Sequence, residues 1–136
     1  MKEATITVLK VEPMKPPVVA HLNNELEALQ DAVSIGSASR GLIEIIELNE
    51  ETCLLCNEEG KLLSLTPNRR VGDDIICGVF YLTGQDEEGN LASLSPLQIS
   101  FLELVFNTPE FILPSEVEMK TDVFFEEWED DADENH

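Results

Sequence analysis

Apolar and polar residues alternate, or apolar β-branched residues cluster, along most of the first half of the chain. Four such segments predict strands, and they cover residues 4–11, 17–22, 41–48 and 52–56. Two prolines at the start of the second segment predict an edge strand, because proline cannot donate a hydrogen bond to a neighbouring strand. We expect this edge strand to form a hairpin with the first segment.

The most β-prone run, residues 75–83, predicts the central strand of the sheet. Its near-continuous apolarity is typical of a strand that is covered on both faces. Residues 67–74, which precede it, predict a loop. Residues 57–60 end on a glycine and predict the turn of a second hairpin, between residues 52–56 and a short strand at 61–65.

Two segments show the apolar spacing of helices. In the first, residues 25–33, Asn24 followed by Glu27 matches a capping box. The second begins at Ser95 as the N-cap residue, with Pro96 at the first helical position. Its apolar stripe consists of Leu97, Phe101, Leu104 and Val105.

These elements predict one small α+β domain at residues 1–114, with a mixed or antiparallel sheet of about five to six strands and two helices packed on it. An acidic C-terminal tail is predicted at residues 115–136. Residues 116–136 hold ten acidic side chains and one lysine, and they also contain Phe124, Phe125 and Trp128. Two interpretations stay open: a solvated, disordered tail, or a segment that folds on a basic, grooved partner.

Net charge restricts the functional classes most strongly. Eight lysines and arginines against 28 acidic residues give a net charge of −20. Direct binding to nucleic-acid phosphates or to an anionic membrane surface is excluded, because both need cationic side chains. A basic protein partner is favoured instead. With no apolar run of about 18 residues and no signal-peptide pattern, we expect a cytoplasmic protein, in the host cytoplasm if a phage encodes it.

The sequence contains none of the usual catalytic motifs. The three cysteines are predicted to be free thiols; the Cys53 and Cys56 pair lacks a second ligand pair, and residues three apart on a strand point to opposite faces. His21 has no nucleophile nearby and is interpreted as structural. We therefore expect no enzymatic activity, no cofactor and no metal site.

The arginine pair at 69 and 70 allows two interpretations, because positive charge is scarce in this chain. The two guanidinium groups can bind a small anion or phosphate. Alternatively, they pair with Asp73, Asp74 or another carboxylate and fix the loop. The residues of the predicted ligand site are Asn68, Arg69, Arg70, Lys61 and Tyr81.

Several sequence blocks resemble a known family: EPMKPP, NNELEALQDAV, GLIEIIEL, and above all LxPNRR followed by DDIIxGxF within residues 57–84. Over about residues 4–106 the chain is similar to the domain-of-unknown-function family DUF3846, small proteins found in phages, plasmids and conjugative elements. The resemblance implies a setting in mobile genetic elements and no particular activity.

The leading hypothesis is a non-enzymatic acidic accessory protein of a phage or mobile element that binds a basic protein. In its most specific form, the acidic face mimics nucleic acid and inhibits a nucleic-acid-binding protein of host defence. The predicted partner-binding residues are Asp73, Asp74, Asp86, Glu87, Glu88, Glu126, Glu127, Trp128, Glu129, Asp130 and Asp131. The alternative is a protein that sequesters a small ligand or nucleotide at the PNRR segment. The sequence does not fix the oligomeric state.

Overall fold

The computed structural model describes residues 3–35, 37 and 40–117. The predicted α+β class and the single small domain are confirmed. The elements are β1 (Thr5–Val11), β2 (Val18–Asn23), α1 (Leu26–Val33), β3 (Ile43–Asn49), β4 (Thr52–Asn57), β5 (Pro67–Val71), β6 (Asp74–Cys77), β7 (Phe80–Gln85), β8 (Leu91–Ala92) and α2 (Pro96–Phe106), followed by a 3₁₀ turn at Pro114–Glu116.

Six strands form one antiparallel sheet in the order β2-β1-β7-β4-β3. The sixth strand, β8, pairs with the end of β7, where Gly84 lies opposite Ala92. β2 forms the predicted hairpin with β1 and lies at one edge of the sheet, as its prolines indicate. β7 lies in the middle, and β3 forms the other edge.

Each face of this sheet carries its own apolar core, because successive side chains of a strand point to opposite faces. On one face, Leu29 and Val33 of α1 pack with residues such as Tyr81 of β7. On the other face, Leu102 and Phe106 of α2 pack with β1, β4, β6 and β7. The prediction that the central strand is covered on both faces is therefore confirmed.

The predicted hairpin between residues 52–56 and 61–65 is wrong, because the second segment is not a strand. Successive turns occupy it instead: Gly60 donates its backbone N–H to Asn57 at 3.1 Å, and Leu65 donates to Gly60 at 3.0 Å. Ser64 adopts a positive φ of 56°, which breaks an extended chain. The strand that pairs with β4 in a hairpin is β3.

The predicted loop at residues 67–74 is also wrong. It forms β5 and the start of β6, a separate two-stranded antiparallel sheet whose turn contains Gly72 at φ 62°. The predicted strand 75–83 is interrupted at Gly78, which has φ 85°. A side chain there would place its Cβ 2.8 Å from Leu65 Cδ1, so glycine lets the chain turn from β6 into the main sheet at β7.

Of the two predicted helix caps, the one at Ser95 is confirmed and the one at Asn24 is wrong. Ser95 is the N-cap residue of α2, as predicted; its side chain accepts a hydrogen bond from the backbone of Gln98, and the Gln98 side chain accepts one from the backbone of Ser95, which completes a capping box. The capping box predicted at Asn24 is wrong. Asn24 is buried, and its amide donates to the backbone carbonyls of Glu3 and Leu91 at 3.0 and 3.3 Å. Among the described residues, no helix is long and apolar enough to cross a membrane.

Candidate protein-binding site

Six of the eight basic residues lie in the described part of the chain, together with 19 of the 28 acidic residues. Five of these six form ion pairs, of which three involve Glu12 or Asp31. Lys10 and Lys15 both approach Glu12, at 3.9 and 3.7 Å, and Arg40 donates to Asp31 at 2.6 Å. Each of these three cations therefore has a carboxylate nearby, and Lys10 and Lys15 share one.

Arg69 is buried, with 1% of its surface exposed. Its guanidinium donates to Asn68 Oδ1 at 2.7 Å, to the carbonyl of Lys15 at 2.7 Å and to the carbonyl of Phe106 at 3.0 Å. Phe106 is the last residue of α2, where unpaired carbonyls and the helix dipole favour a cation. Burial lowers the pKa of Arg69, and the nearby Glu110 opposes this shift. Arg69 thus links β5, the β1–β2 turn and the end of α2.

Arg70 and Lys61 are each paired with carboxylates. Arg70 donates to Glu116 at 2.7 Å and to Glu110 at 3.4 Å. Lys61 donates to Asp74, so this predicted partner-binding carboxylate is already engaged within the chain. All six described cations are therefore either ion-paired or buried.

The residues predicted to form a ligand site do not line one pocket in the described structure. The buried Asn68 amide donates to the carbonyls of Val11 and Gly78. Tyr81 lies in the core on the α1 side of the sheet, whereas Arg69 contacts the end of α2 on the opposite side. Lys61 lines a cavity of about 110 Å³ that none of the other four lines.

An acidic cleft of about 670 Å³ lies where the β3–β4 turn meets the β7–β8 turn. We use the name acidic cleft for this feature, which is lined by Glu47, Glu50, Glu51, Gly84, Gln85, Asp86, Glu87, Ala92, Ser93 and Gln98. Five of these ten residues are carboxylates. Within the described residues, no lysine or arginine lines the cleft, so its potential is negative.

Backbone hydrogen bonds fix the two turns that carry these carboxylates. The backbone carbonyl of Glu51 accepts hydrogen bonds from the backbone N–H of Gln85 and from the side-chain amide of Gln98, both at 3.0 Å. These bonds hold the β3–β4 turn against β7 and α2. Asp86 accepts from the backbone N–H of Asn90 at 2.8 Å and of Glu88 at 2.9 Å. The hydrogen bond from the Asn90 backbone lowers the pKa of Asp86 below its ordinary value.

The residues predicted to bind a partner lie in separate parts of the chain. Asp86 and Glu87 line the cleft, and Glu88 is exposed on the same turn without lining it. Asp73 and Asp74 lie on or beside the β5–β6 turn, and Asp74 lines the cavity that also contains Lys61. Outside the described residues lie Glu126, Glu127, Trp128, Glu129, Asp130 and Asp131.

Three of the five carboxylates of the cleft were missed from the sequence: Glu47, Glu50 and Glu51. Their signal was present in the segment IEIIELNEE, where glutamates recur in and just after an apolar strand. The sequence pattern does not reveal that β4 pairs with β7. This pairing places Thr52 opposite Gly84 and brings the two turns together.

The outer surface of α2 next to the cleft is apolar. The stripe predicted from the sequence exists, but it faces solvent: Leu97 and Leu104 are 81% and 80% exposed, Phe101 61% and Val105 55%. The side that packs on the sheet is formed by Leu102 and Phe106. We call the exposed stripe the α2 apolar face; it consists of Leu97, Phe101, Leu104 and Val105.

The cysteines are three buried free thiols, as predicted. Cys53 and Cys56 lie on β4 and have different hydrogen-bond partners, Gln85 and Glu44. Burial raises the pKa of Cys53 and of Cys77, which disfavours their reactive thiolate forms. The described residues hold no cluster of three or more potential metal ligands.

A family profile described as "Domain of unknown function (DUF3846)" matches residues 6–107, three quarters of the chain. The chain therefore belongs to the DUF3846 family, as the resemblance of its sequence blocks indicated. Comparisons with curated proteins and with solved structures found no significant match.

Proposed function

We propose that this chain is a non-enzymatic acidic protein that binds a basic protein partner at the acidic cleft. The observation that carries the proposal is the distribution of charge. Every cation in the described part is ion-paired or buried, whereas Glu47, Glu50, Glu51 and Glu87 lie in the cleft with no described lysine or arginine within ion-pair distance.

Such a cleft favours a cationic partner for two physical reasons. Carboxylates held close together on fixed turns repel one another, and a bound lysine or arginine relieves that repulsion. Their summed field also attracts a basic protein during diffusion and accelerates association at low salt. Both effects weaken as salt shortens the screening length to below about 10 Å.

The wider setting is part of the same proposal. We propose that the protein acts as an accessory factor of a phage or another mobile element, in the cytoplasm of the host. In the most specific version, its carboxylates occupy the phosphate-binding channel of a nucleic-acid-binding defence protein. The high negative charge and the absence of an unpaired described cation support this version.

Affinity purification from cells that carry the gene tests the proposal. Two full-length baits are compared at low salt: the natural chain and the variant E47Q/E50Q/E51Q. We expect basic proteins on the natural chain, elution of these proteins at high salt, and their loss from the variant. Retrieval of only neutral or acidic proteins, or equal retrieval by both baits, would contradict the proposal.

A further inference from the structure

We propose that the α2 apolar face docks an amphipathic basic helix of the partner, so that its apolar side lies on α2 and its cationic side chains reach the acidic cleft. This inference rests on the proposed function and specifies the form of the partner. It concerns a surface that the core does not use, since the packed side of α2 is formed by Leu102 and Phe106.

The spacing of the α2 apolar face suits a helix. Leu97, Phe101, Leu104 and Val105 follow the i, i+4, i+7, i+8 pattern and form one stripe along α2. The 11 residues of α2 span about 16 Å, roughly three turns, which is the length of a short helix-in-groove contact. Four large, mostly exposed apolar side chains in a row are typical of an interaction surface.

The acidic cleft adjoins this face directly and supplies the charge complementarity. Gln98 lines the cleft and donates to the carbonyl of Glu51, and Leu97 is the residue immediately before it. Glu103 is the single charged residue on α2, and it is also acidic. A partner helix on the α2 apolar face therefore meets negative charge at the N-terminus of α2 and at Glu103. This charge favours lysine and arginine at the edges of the partner's apolar side.

Two other occupants fit this charge less well. A second copy of the chain carries the same net charge of −20, and the opposed acidic clefts would repel. The segment 118–136 of the same chain contains Phe124, Phe125 and Trp128, but it holds nine acidic residues and one lysine. The repulsion disfavours both relative to a basic partner.

Peptide binding to the full-length chain tests the inference. The probes are two synthetic peptides of about 18 residues, both made of leucine and lysine. One has leucines at helical spacing, and the other has the same composition scrambled to remove the apolar face. We expect the amphipathic peptide to bind at least about tenfold more tightly than the scrambled one.

Two matched double variants locate the contact. F101S/L104S removes two of the four apolar side chains of the α2 apolar face. V19S/L26S is the control and removes two exposed apolar side chains from β2 and α1. We expect F101S/L104S to weaken binding of the amphipathic peptide at least about tenfold, and V19S/L26S to change it less than about twofold. Equal effects of the two variants would overturn the inference.

The failure of the inference can be told apart from failure of the proposed function. If both peptides bind equally and E47Q/E50Q/E51Q weakens both, the cleft binds cations but the α2 apolar face docks nothing. If neither peptide binds at low salt, the proposed function fails as well.

Two further readouts identify the competing occupants. A dimer in sedimentation experiments that F101S/L104S dissociates would assign the face to a second copy and overturn the inference. Trp128 is the sole tryptophan, so its fluorescence reports on the C-terminal segment. A red shift of its emission in F101S/L104S without peptide would assign the face to that segment, with the same consequence.

Discussion

Replacement of Arg69 by methionine tests whether the arginine pair fixes the fold or awaits a ligand. Methionine keeps most of the side-chain volume and removes the guanidinium group. The change leaves three acceptors without their donor: the buried Asn68 Oδ1 and Phe106 carbonyl, and the part-buried carbonyl of Lys15. Three separate parts of the chain then lose their common link.

The expected magnitude follows from these three hydrogen bonds. At about 1.5 kcal/mol for each bond from a charged donor, their loss costs about 4.5 kcal/mol. Part of this is offset, because the buried charge of Arg69 disappears along with its Nε, which has no hydrogen-bond partner. We expect R69M to lower the free energy of unfolding by about 3 kcal/mol.

Urea denaturation followed by far-ultraviolet circular dichroism measures this loss, with R70M as the matched control. The Arg70 side chain is 47% exposed and pairs with Glu110 and Glu116 at the surface, so we expect a loss of at most about 1 kcal/mol. The slopes of the two denaturation curves should agree. Losses that agree within about 0.5 kcal/mol, or a more stable R69M, would refute the structural role of Arg69.

Three other predictions concern the glycines of the β5–β6 region, the ionisation of Tyr81 and the reactivity of two buried thiols. Gly78→Ala should destabilise the protein by about 2 kcal/mol, and Gly72→Ala by only about 1 kcal/mol. Both glycines have a positive φ, but only at Gly78 would a new Cβ come into close contact with another residue. Thermal denaturation of the two variants measures the difference. Burial raises the pKa of Tyr81, the sole tyrosine, to about 12. Since the unfolded pKa is about 10, the unfolded chain ionises first, and stability should fall as the pH rises from about 10 to about 12; phenolate absorbance of the folded protein with a midpoint near 10 would contradict this. Cys53 and Cys77 should react with a thiol reagent at neutral pH far more slowly in the folded protein than in urea, and equal rates would disprove their burial.

Local sequence signals predicted the elements whose cause is itself local. The β-branched run of β1, the prolines before β2 and the Ser95–Pro96 start of α2 each specify a conformation within a few residues. The segment 61–65 was misjudged because its leucines suit a strand, whereas hydrogen bonds between residues three to five apart form successive turns there. The break at Gly78 was likewise missed, because glycine within an apolar run does not reveal the sign of φ.

The candidate site was only partly predictable, because it is assembled from residues distant in sequence. Asp86 and Glu87 were identified from their charge, but Glu50 and Glu51 join them through the pairing of β4 with β7. The apolar stripe on α2 was identified by its spacing, yet spacing alone does not decide which side of a helix with apolar residues all round it packs inward. That choice depends on the shape of the sheet beneath it.

Binding of a basic peptide across a range of salt concentrations measures directly whether the acidic cleft holds cationic side chains. E47Q/E50Q/E51Q removes three charges from the acidic cleft, and E58Q/E59Q/D73N removes three from exposed or half-buried positions that do not line it. We expect the natural chain to lose affinity steeply with added salt, the cleft variant to bind at least about tenfold more weakly at low salt, and the control to change less than about threefold. Equal losses in the two variants, or an affinity independent of salt, would contradict the claim that this cleft binds a basic partner.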